Sequence, residues 1–598
     1  MTKTLAELTE NDSFVLLFRH GKAEGFLGTI EYFDQISDLP TAEDFVFLNP
    51  YVAIKNRGLK AHGSEKLQVL RSAKKITIGN FFVENLPDLS LKKSPIPDIG
   101  DEIFIEKIHR LQQEEIGKGN ACQVILSRNF FASIQNFSFQ TQIDIWKKLC
   151  RSSGAYITFL WYDAAQKIAY IGASPERHAQ ITESELVMTP IAGTFPKKKY
   201  DDFSADFPQF LRDKKEIDEL SQVLDEELKI MAHLCPRGGA VTGPFFRETP
   251  SAIHTEYKLT GHRDFSRAAF DQFTHTLHAP TLVGGPMQSA AEIIHRYEDD
   301  SRRFYGGEIG IWQDGVLDSA IIIRTAEIDP SGRATVRAGC GVVQTSDPQK
   351  EADETTAKAN GFFRIFSHDF NGKKWLNDTT TKKYTPLLHK RNKSLSSFLL
   401  DDHFYRPTSP IFDRIRVKIL DHEDYFSYML HHFLCYMGFA SQVVEGKTYD
   451  FSAEDNTEIF ILGPGPGDIN NPHDERMKNL QTQTKKIYGA GRKIFGVCLG
   501  HQALARHFGI PVELQSVPTQ GIAREEDLLG RSERLAFYNS FSPVKSGKFR
   551  EEFTFLEDRL LAFFDKNVAG VQCHLESVMS PNGYDLLAKI FRKLLTNT

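Results

Sequence analysis

Several things are missing from this chain of 598 residues, and each omission removes a class of protein. No apolar run approaches the ~20 residues that a bilayer-spanning helix requires, so a membrane protein is not expected. The stretch Met1 to Ser13 is polar and lacks the apolar core of a secretory leader. Cysteine is sparse: the seven present include no Cys-x-x-Cys pair, which argues against a disulfide framework and against a zinc site. No basic block suggests a groove for nucleic acid, since 72 Lys and Arg are interleaved with 78 Asp and Glu for a formal net charge of −6. What remains, 41% hydrophobic and 25% charged, is ordinary globular material with room for about two to four domains. No internal repeat is present, and the cytoplasm is the expected compartment.

The clearest change of composition falls near residues 367–410, where the text turns polar and basic with little periodicity. A linker of about forty residues is expected there, longer than most connections inside a compact domain. The expected division is therefore 1–366, a linker at 367–412, and 413–598. In the last part, RIRVKIL, EIFILGPGPGD, KIFGVCLGHQAL and NVAGVQCHLES are strand-like runs entering turns, separated by helical stretches such as YFSYMLHHFLCYM. That alternation predicts an α/β domain with a mostly parallel sheet, whose ligands sit at the carboxyl ends of the strands. The larger part mixes strand-like runs (QVILSRNF, AYITFLWYD, KIAYIGASPE, DSAIIIRTAEID) with amphipathic stretches at Phe203–Leu234, Ser289–Tyr297 and Asp347–Phe366. It is read as a large α+β domain.

Chemistry is most explicit near the C-terminus. An apolar strand runs into Gly496-Val497-Cys498-Leu499-Gly500-His501-Gln502 and then a helix, the shape of a nucleophile elbow. A helix start behind Cys498 favours the thiolate. Such a nucleophile needs a base held by a third group. His574 offers the base and Glu576 its orienter. The bare loop Gly463-Pro464-Gly465-Pro466-Gly467-Asp468 can present the Gly465 N–H to an oxyanion alongside that of Leu499, each donor being worth roughly 10²–10³ in rate. A buried cysteine or a His-x-Glu alone is commonplace; the ordered set of three is not. These residues resemble the class I glutamine amidotransferases from about Asp413 to Leu595. The resemblance implies a Cys498, His574 and Glu576 site that hydrolyses glutamine through a thioester, with Gln502 and Phe537-Tyr538-Asn539-Ser540-Phe541 helping to hold it. Two departures, Leu575 where the family usually has Pro and Gly463 where it has a Ser or Asn-type residue, remove no reacting group.

Ammonia needs an acceptor. From about Ile103 to Phe366 the stretches CQVILSR, GASPER, PIAGT, LVGGP, YGGEIG, SAIIIRTA, AGCGVV and SDPQKEADETTAKA resemble the chorismate-utilising synthases, the family of anthranilate synthase. The resemblance implies large antiparallel-rich sheets with helices, and chorismate as substrate. It further implies that Glu298 and Glu354 hold Mg2+, with Glu351 nearby through water; hard oxygen ligands suit that cation. Glu176 is implied as general acid, and Arg324, Tyr305 and the Gly341 backbone as the grip on the enolpyruvyl carboxylate. Lys358 supplies a further positive group, Thr194 and Thr281 are implied as substrate-binding residues, and His254 is implied as a catalytic one. Each acidic stretch alone reads as a solvated helix face; the joint order across the segment carries the case.

Within the family, Gln123 stands where water-using members carry a basic Lys, and Ala192 where carbon-4 aminators carry a nucleophilic Lys. Ammonia is thus expected to add at carbon 2. The stretches DEELK, HTEY, APTLVGGP and LDSAIIIRTA, with the synthase–linker–amidotransferase order, resemble the phenazine-pathway 2-amino-2-deoxyisochorismate synthases, which retain the enolpyruvyl group. His254, kept in the pyruvate-eliminating relatives too, leaves a fused anthranilate synthase as the alternative. The resemblance also implies a homodimer, possibly intertwined, with ammonia passing through a channel.

Overall fold

The computed structural model describes residues 3–39, 41–83, 85–152, 154–197, 203–250, 252–367, 374–401, 403–404, 412, 414–545, 553–556 and 558–596. In the N-terminal region every named strand pairing is antiparallel. One arm of the ladder runs through Gln123–Ser133, Arg333–Val343, Thr325–Ile328, Ile168–Ser174, Ile157–Asp163, Ser13–Arg19 and Lys22–Phe33. Strand Leu67–Lys75 joins it to a second arm through Phe45–Asn49, Glu308–Gln313, Val316–Ile321, Arg177–Ile181, Glu185–Met188 and Ala252–His262. Strands Ile191–Pro196 and Gly238–Glu248 flank the last of these. The strands read as they do because β-branched and aromatic side chains fill both faces: all seven residues of Ile157–Asp163 are buried, Trp161 completely. Helices cover the ladder. Pro348–Phe363 starts with Pro348 in its first turn and Asp347 as cap, whose carboxylate accepts from the N–H groups of Gln349 and Lys350. The expected single helical stretch from Phe203 is two helices, Phe203–Arg212 and Lys214–Leu234.

The C-terminal region is a parallel sheet in the order Ala440–Glu445, Arg416–Asp421, Ile459–Leu462, Lys493–Val497 and Val568–Val571, with antiparallel Arg559–Asp565 and Phe553–Leu556 at one edge. Helix Phe426–Met437 ends at Gly438, which takes the left-handed conformation (φ 100°) that a helix C-terminus favours. The two expected classes, α+β with antiparallel sheets and α/β with a mainly parallel one, are the classes found.

The described part of the expected linker is folded. Helix Asp378–His389 and a short helix Ser397–Leu400 lie within 374–401. Leu376, Tyr384 and Leu388 are buried against Phe195, Phe207 and Phe210. The polar wording hid an i, i+4 apolar pair, Tyr384 and Leu388, among Lys and Thr. Ser396 N–H then donates to Val578 O at 2.7 Å, tying the segment to the C-terminal region. All seven cysteines are free and buried, and no described helix is long and apolar enough to cross a membrane.

Candidate functional site

Strand Lys493–Val497 enters helix Leu499–His507 through Cys498, which sits at φ 52°, ψ −104°. Positive φ is costly for a side chain bearing Cβ, and strain of this kind collects at reacting residues. The flanking glycines have a packing reason beyond access to the sulfur: a Cβ on Gly496 would meet Gly500 O at 2.6 Å, and one on Gly500 would strike Leu462 O. Strand and helix can approach only with both bare.

Cys498 and His574 line one small cavity of about 30 Å³ with Gly465, Gln502 and Tyr538 to Phe541. Gln572 Nε2 donates to the sulfur at 3.6 Å. His574 Nδ1 bonds Glu576 Oε1 at 2.8 Å, with both residues buried. Burial depresses the imidazole, but the Glu576 carboxylate and the Cys498 sulfur outweigh it and raise His574 to about 10. An imidazolium beside a cysteine sulfur is the arrangement in which a thiolate acts as nucleophile. Leu499 is the first residue of the helix and is buried, and its Cδ2 lies 3.1 Å from where a Gly465 Cβ would be. Gln502 Nε2 is committed to Phe541 O at 2.9 Å.

The N-terminal region contains a second cavity of about 450 Å³, where Arg333–Val343 of one ladder arm faces Ile191–Pro196 and His254 of the other. Gln123, Glu176, Thr194, His254, Thr281, Tyr305, Arg324, Gly341, Glu351, Glu354 and Lys358 all line it. Gly339 and Gly341 share one face of their strand. A Cβ at Gly339 would meet the Tyr305 hydroxyl at 2.7 Å, and one at Gly341 the Gln123 Nε2 at 2.7 Å, so both polar groups reach over a floor without side chains. Arg324 Nη1 donates to Lys358 O at 3.2 Å, and Lys358 Nζ to Gly339 O at 2.9 Å while pairing with Glu354 at 2.6 Å. The cavity thus offers Arg324 and Lys358 to an anionic ligand, with Lys214 and Arg337 also on its wall.

Glu176 is buried and accepts from Thr281 Oγ1 at 3.3 Å and the Ile191 N–H at 3.4 Å. Burial outweighs these bonds and raises its carboxyl to about 8, so it carries a proton at neutral pH. His254 is also buried, bonded through Nδ1 to Gly193 O at 3.2 Å. Burial, with the Arg324 charge, lowers it to about 4, and it is neutral at pH 7.

Glu298 lies elsewhere than expected. Its carboxylate takes both Arg302 Nε and Nη2 at 2.7 Å, Arg337 Nη2 at 3.0 Å, and the Ser127 N–H and Oγ at 2.8 Å. A carboxylate has about four lone-pair sites, so these five donors leave none for a cation. It is not among the residues lining the cavity. Among the described residues no three His, Cys, Asp or Glu gather as a metal-binding group. Glu219, from helix Lys214–Leu234, does face the cavity that holds Glu351 and Glu354. Glu219, Glu351 and Glu354 give the cavity hard oxygen donors of the kind Mg2+ accepts without gathering as a formed metal group, whereas the lone pairs of Glu298 as placed are taken. Sequence reasoning passed over Glu219 because it lies in an amphipathic stretch, Phe203–Leu234, in a part that carries no recognised motif.

The two regions pack on one another within the chain. Asp225 accepts from Tyr538 OH at 2.8 Å, from the Val578 N–H at 2.7 Å and from the Ser577 hydroxyl. Lys229 pairs with Glu226 at 2.6 Å and Asp424 at 3.1 Å and lines the Cys498 cavity. The sequence marked Tyr538 and the DEELK stretch only as parts of family motifs; their contact with one another was not foreseen.

A strained cysteine–histidine–glutamate site on a parallel sheet, docked beside a polar cavity lined by Arg324, Lys358 and Glu176 in an antiparallel ladder, defines a two-site protein of fused α/β and α+β regions. Residues 53–364 match the chorismate binding enzyme family, and residues 418–594 match glutamine amidotransferase class-I. Two relatives named "Anthranilate synthase, phenazine specific" are each 31% identical. That of Pseudomonas chlororaphis covers 100% of this chain and 98% of its own length, and that of Pseudomonas fluorescens 93% and 88%. The chain belongs to the chorismate-binding enzyme family and carries a class I glutamine amidotransferase domain on the same polypeptide. MenF, the menaquinone-specific isochorismate synthase from Escherichia coli, has the same fold in its solved structure (TM-score 0.50, 18% identity, 61% of this chain and 90% of that one).

Proposed function

We propose that this protein uses glutamine to aminate chorismate at carbon 2, giving 2-amino-2-deoxyisochorismate and glutamate with the enolpyruvyl group retained, in phenazine biosynthesis. The observation that carries the reading is the pairing, in one chain, of a nucleophile site with a cavity that presents a protonated acid and a set of cations. Cys498 attacks the glutamine amide, the N–H groups of Gly465 and Leu499 receive the oxyanion, and His574 passes the proton that lets ammonia leave; water then cleaves the resulting thioester, freeing glutamate and restoring the Cys498 thiol. In the larger cavity Arg324 and Lys358 hold the carboxylates while Glu176 donates its proton to the departing ring hydroxyl as ammonia adds. Glu351 and Glu354, with Glu219, would hold Mg2+, which supplies charge neutralisation for the ring carboxylate. Gln123 offers an amide and no base, which suits a nucleophile that arrives as ammonia. We also propose that the assembly is a homodimer.

Anthranilate with loss of pyruvate is the second reading, favoured by the names of the relatives and by His254, whose neutral imidazole faces the cavity. Product analysis separates the two: with chorismate, glutamine and Mg2+, an aminated species that keeps its enolpyruvyl arm supports the proposal, and rapid equimolar pyruvate sinks it.

A further inference from the structure

Nitrogen released at Cys498 and consumed beside Glu176 must cross the protein that separates the two cavities. Cys122 lines the smaller cavity and its neighbour Gln123 the larger; Pro286 lines the smaller and Thr281 and Leu282 the larger. The partition is knitted by Gly284–Gly285 pairing with Gln123–Val124 and by the Cys122 N–H donating to Gly285 O at 2.9 Å. Behind it runs helix Lys214–Leu234, with Val223 on the larger cavity and Lys229 on the smaller. Between those two positions stand Glu226 and Glu227.

Glu226 is satisfied by Lys229 at 2.6 Å and pressed so closely on Gly285 that a Cβ there would strike its carboxyl. Glu227 differs. It is 2% exposed, and its Oε2 is buried without a hydrogen-bond partner among the described residues. The charges that act on it are those of Glu176, on the larger cavity, and of Glu226, its helix neighbour, which pairs with the Lys229 that lines the smaller one. Buried polar atoms are nearly always bonded, so an unfilled one on the helix behind this partition calls for a small polar guest.

We propose that Glu227 is a binding site for ammonia in transit between the two cavities, its carboxyl donating O–H to the nitrogen lone pair and accepting one ammonia N–H. No proton changes hands and no bond breaks: the molecule that arrives as ammonia leaves as ammonia. Burial, with the two neighbouring carboxylates, pushes the Glu227 carboxyl well above the ordinary range, and a neutral acid does not trap the cargo as ammonium. The inference rests on the glutamine-dependent amination proposed above.

The test uses the full chain and reads aminated product formed per glutamate released, normalised to amination driven by added ammonium chloride in the same preparation. Glu227→Leu fills the space without polar atoms, and the ratio is expected to fall at least about tenfold, the value of one lost hydrogen bond. Glu227→Gln keeps a donor and an acceptor, and its ratio is expected to stay within about threefold of the parent. Glu227→Met serves as a second apolar variant should the leucine chain fail to fold. A parental ratio in the apolar variants overturns the site, and is what a permanently bound structural water would give. A glutamine variant as damaged as the apolar ones also overturns it. A parent chain that makes no product from glutamine overturns the amination reading itself, a separate result.

Discussion

Replacing Glu176 with glutamine isolates the proton that the larger cavity is proposed to supply. The amide retains an oxygen for Thr281 Oγ1 and the Ile191 N–H, which lie at 3.3 and 3.4 Å from the acid, so shape and local bonding change little. What disappears is a dissociable proton. With the carboxyl raised to about 8 by burial, about nine-tenths of the parent chains hold that proton at pH 7. A positioned general acid is worth about 10²–10⁴ in rate, or roughly 3–5 kcal/mol of barrier. The expected loss in the rate of chorismate consumption is of that size, followed at saturating chorismate with glutamate release measured in parallel. The sign of the pH effect follows from the direction of the shift. The acid is present below about 8 and lost as pH rises through that value, so the parent rate declines on the alkaline side. The variant lacks that limb. A variant that retains its rate within about threefold, or keeps the alkaline limb, would show that the leaving hydroxyl takes its proton elsewhere.

Other residues make equally direct tests. Cys498→Ala is expected to abolish glutamate release while added ammonium still drives chorismate amination; loss of both would make the sulfur structural. Glu298→Gln breaks a buried pair with Arg302 and Arg337 and should cost about 3–5 kcal/mol, seen as a lower thermal transition, with Mg2+ affinity little changed. Parental stability with weakened Mg2+ binding would return Glu298 to the metal site. Despite burial, the two guanidiniums hold Glu298 at about 2, so its stabilising effect is full above about pH 4.5 and is lost as pH falls through 2. Asp225→Ala strands the Val578 N–H and two hydroxyls at the contact between the regions, at about 1–3 kcal/mol per stranded group. Faster hydrogen exchange over 574–580 is expected, and unchanged exchange would remove Asp225 as an anchor.

The C-terminal site was legible because each of its parts is a short contiguous motif at a strand end, and a parallel sheet brings strand ends together. Nothing about Cys498 or His574 depends on an unforeseen partner. Carboxylates in the larger region are different, since a glutamate's role is set by what faces it. Arg302 stands only four residues from Glu298, but Arg337 comes from a distant strand, and together they convert an expected ligand into half of a buried ion pair. Glu219, Asp225, Glu226 and Glu227 sit on a helix whose acidic wording suggests solvent, yet the second region covers it. That part of the stretch after Phe366 packs was hidden for a related reason: its few apolar residues are enough to fill a space left by Phe195, Phe207 and Phe210.

Mass spectrometry of the reaction with amide-15N glutamine, chorismate and Mg2+ bears most directly on the whole account. The predicted result is one 15N atom in a chorismate-derived product that still carries its three-carbon arm, formed in step with glutamate. Labelled anthranilate with equimolar pyruvate would contradict the product; label recovered only as free ammonium, with chorismate intact, would contradict the transfer itself.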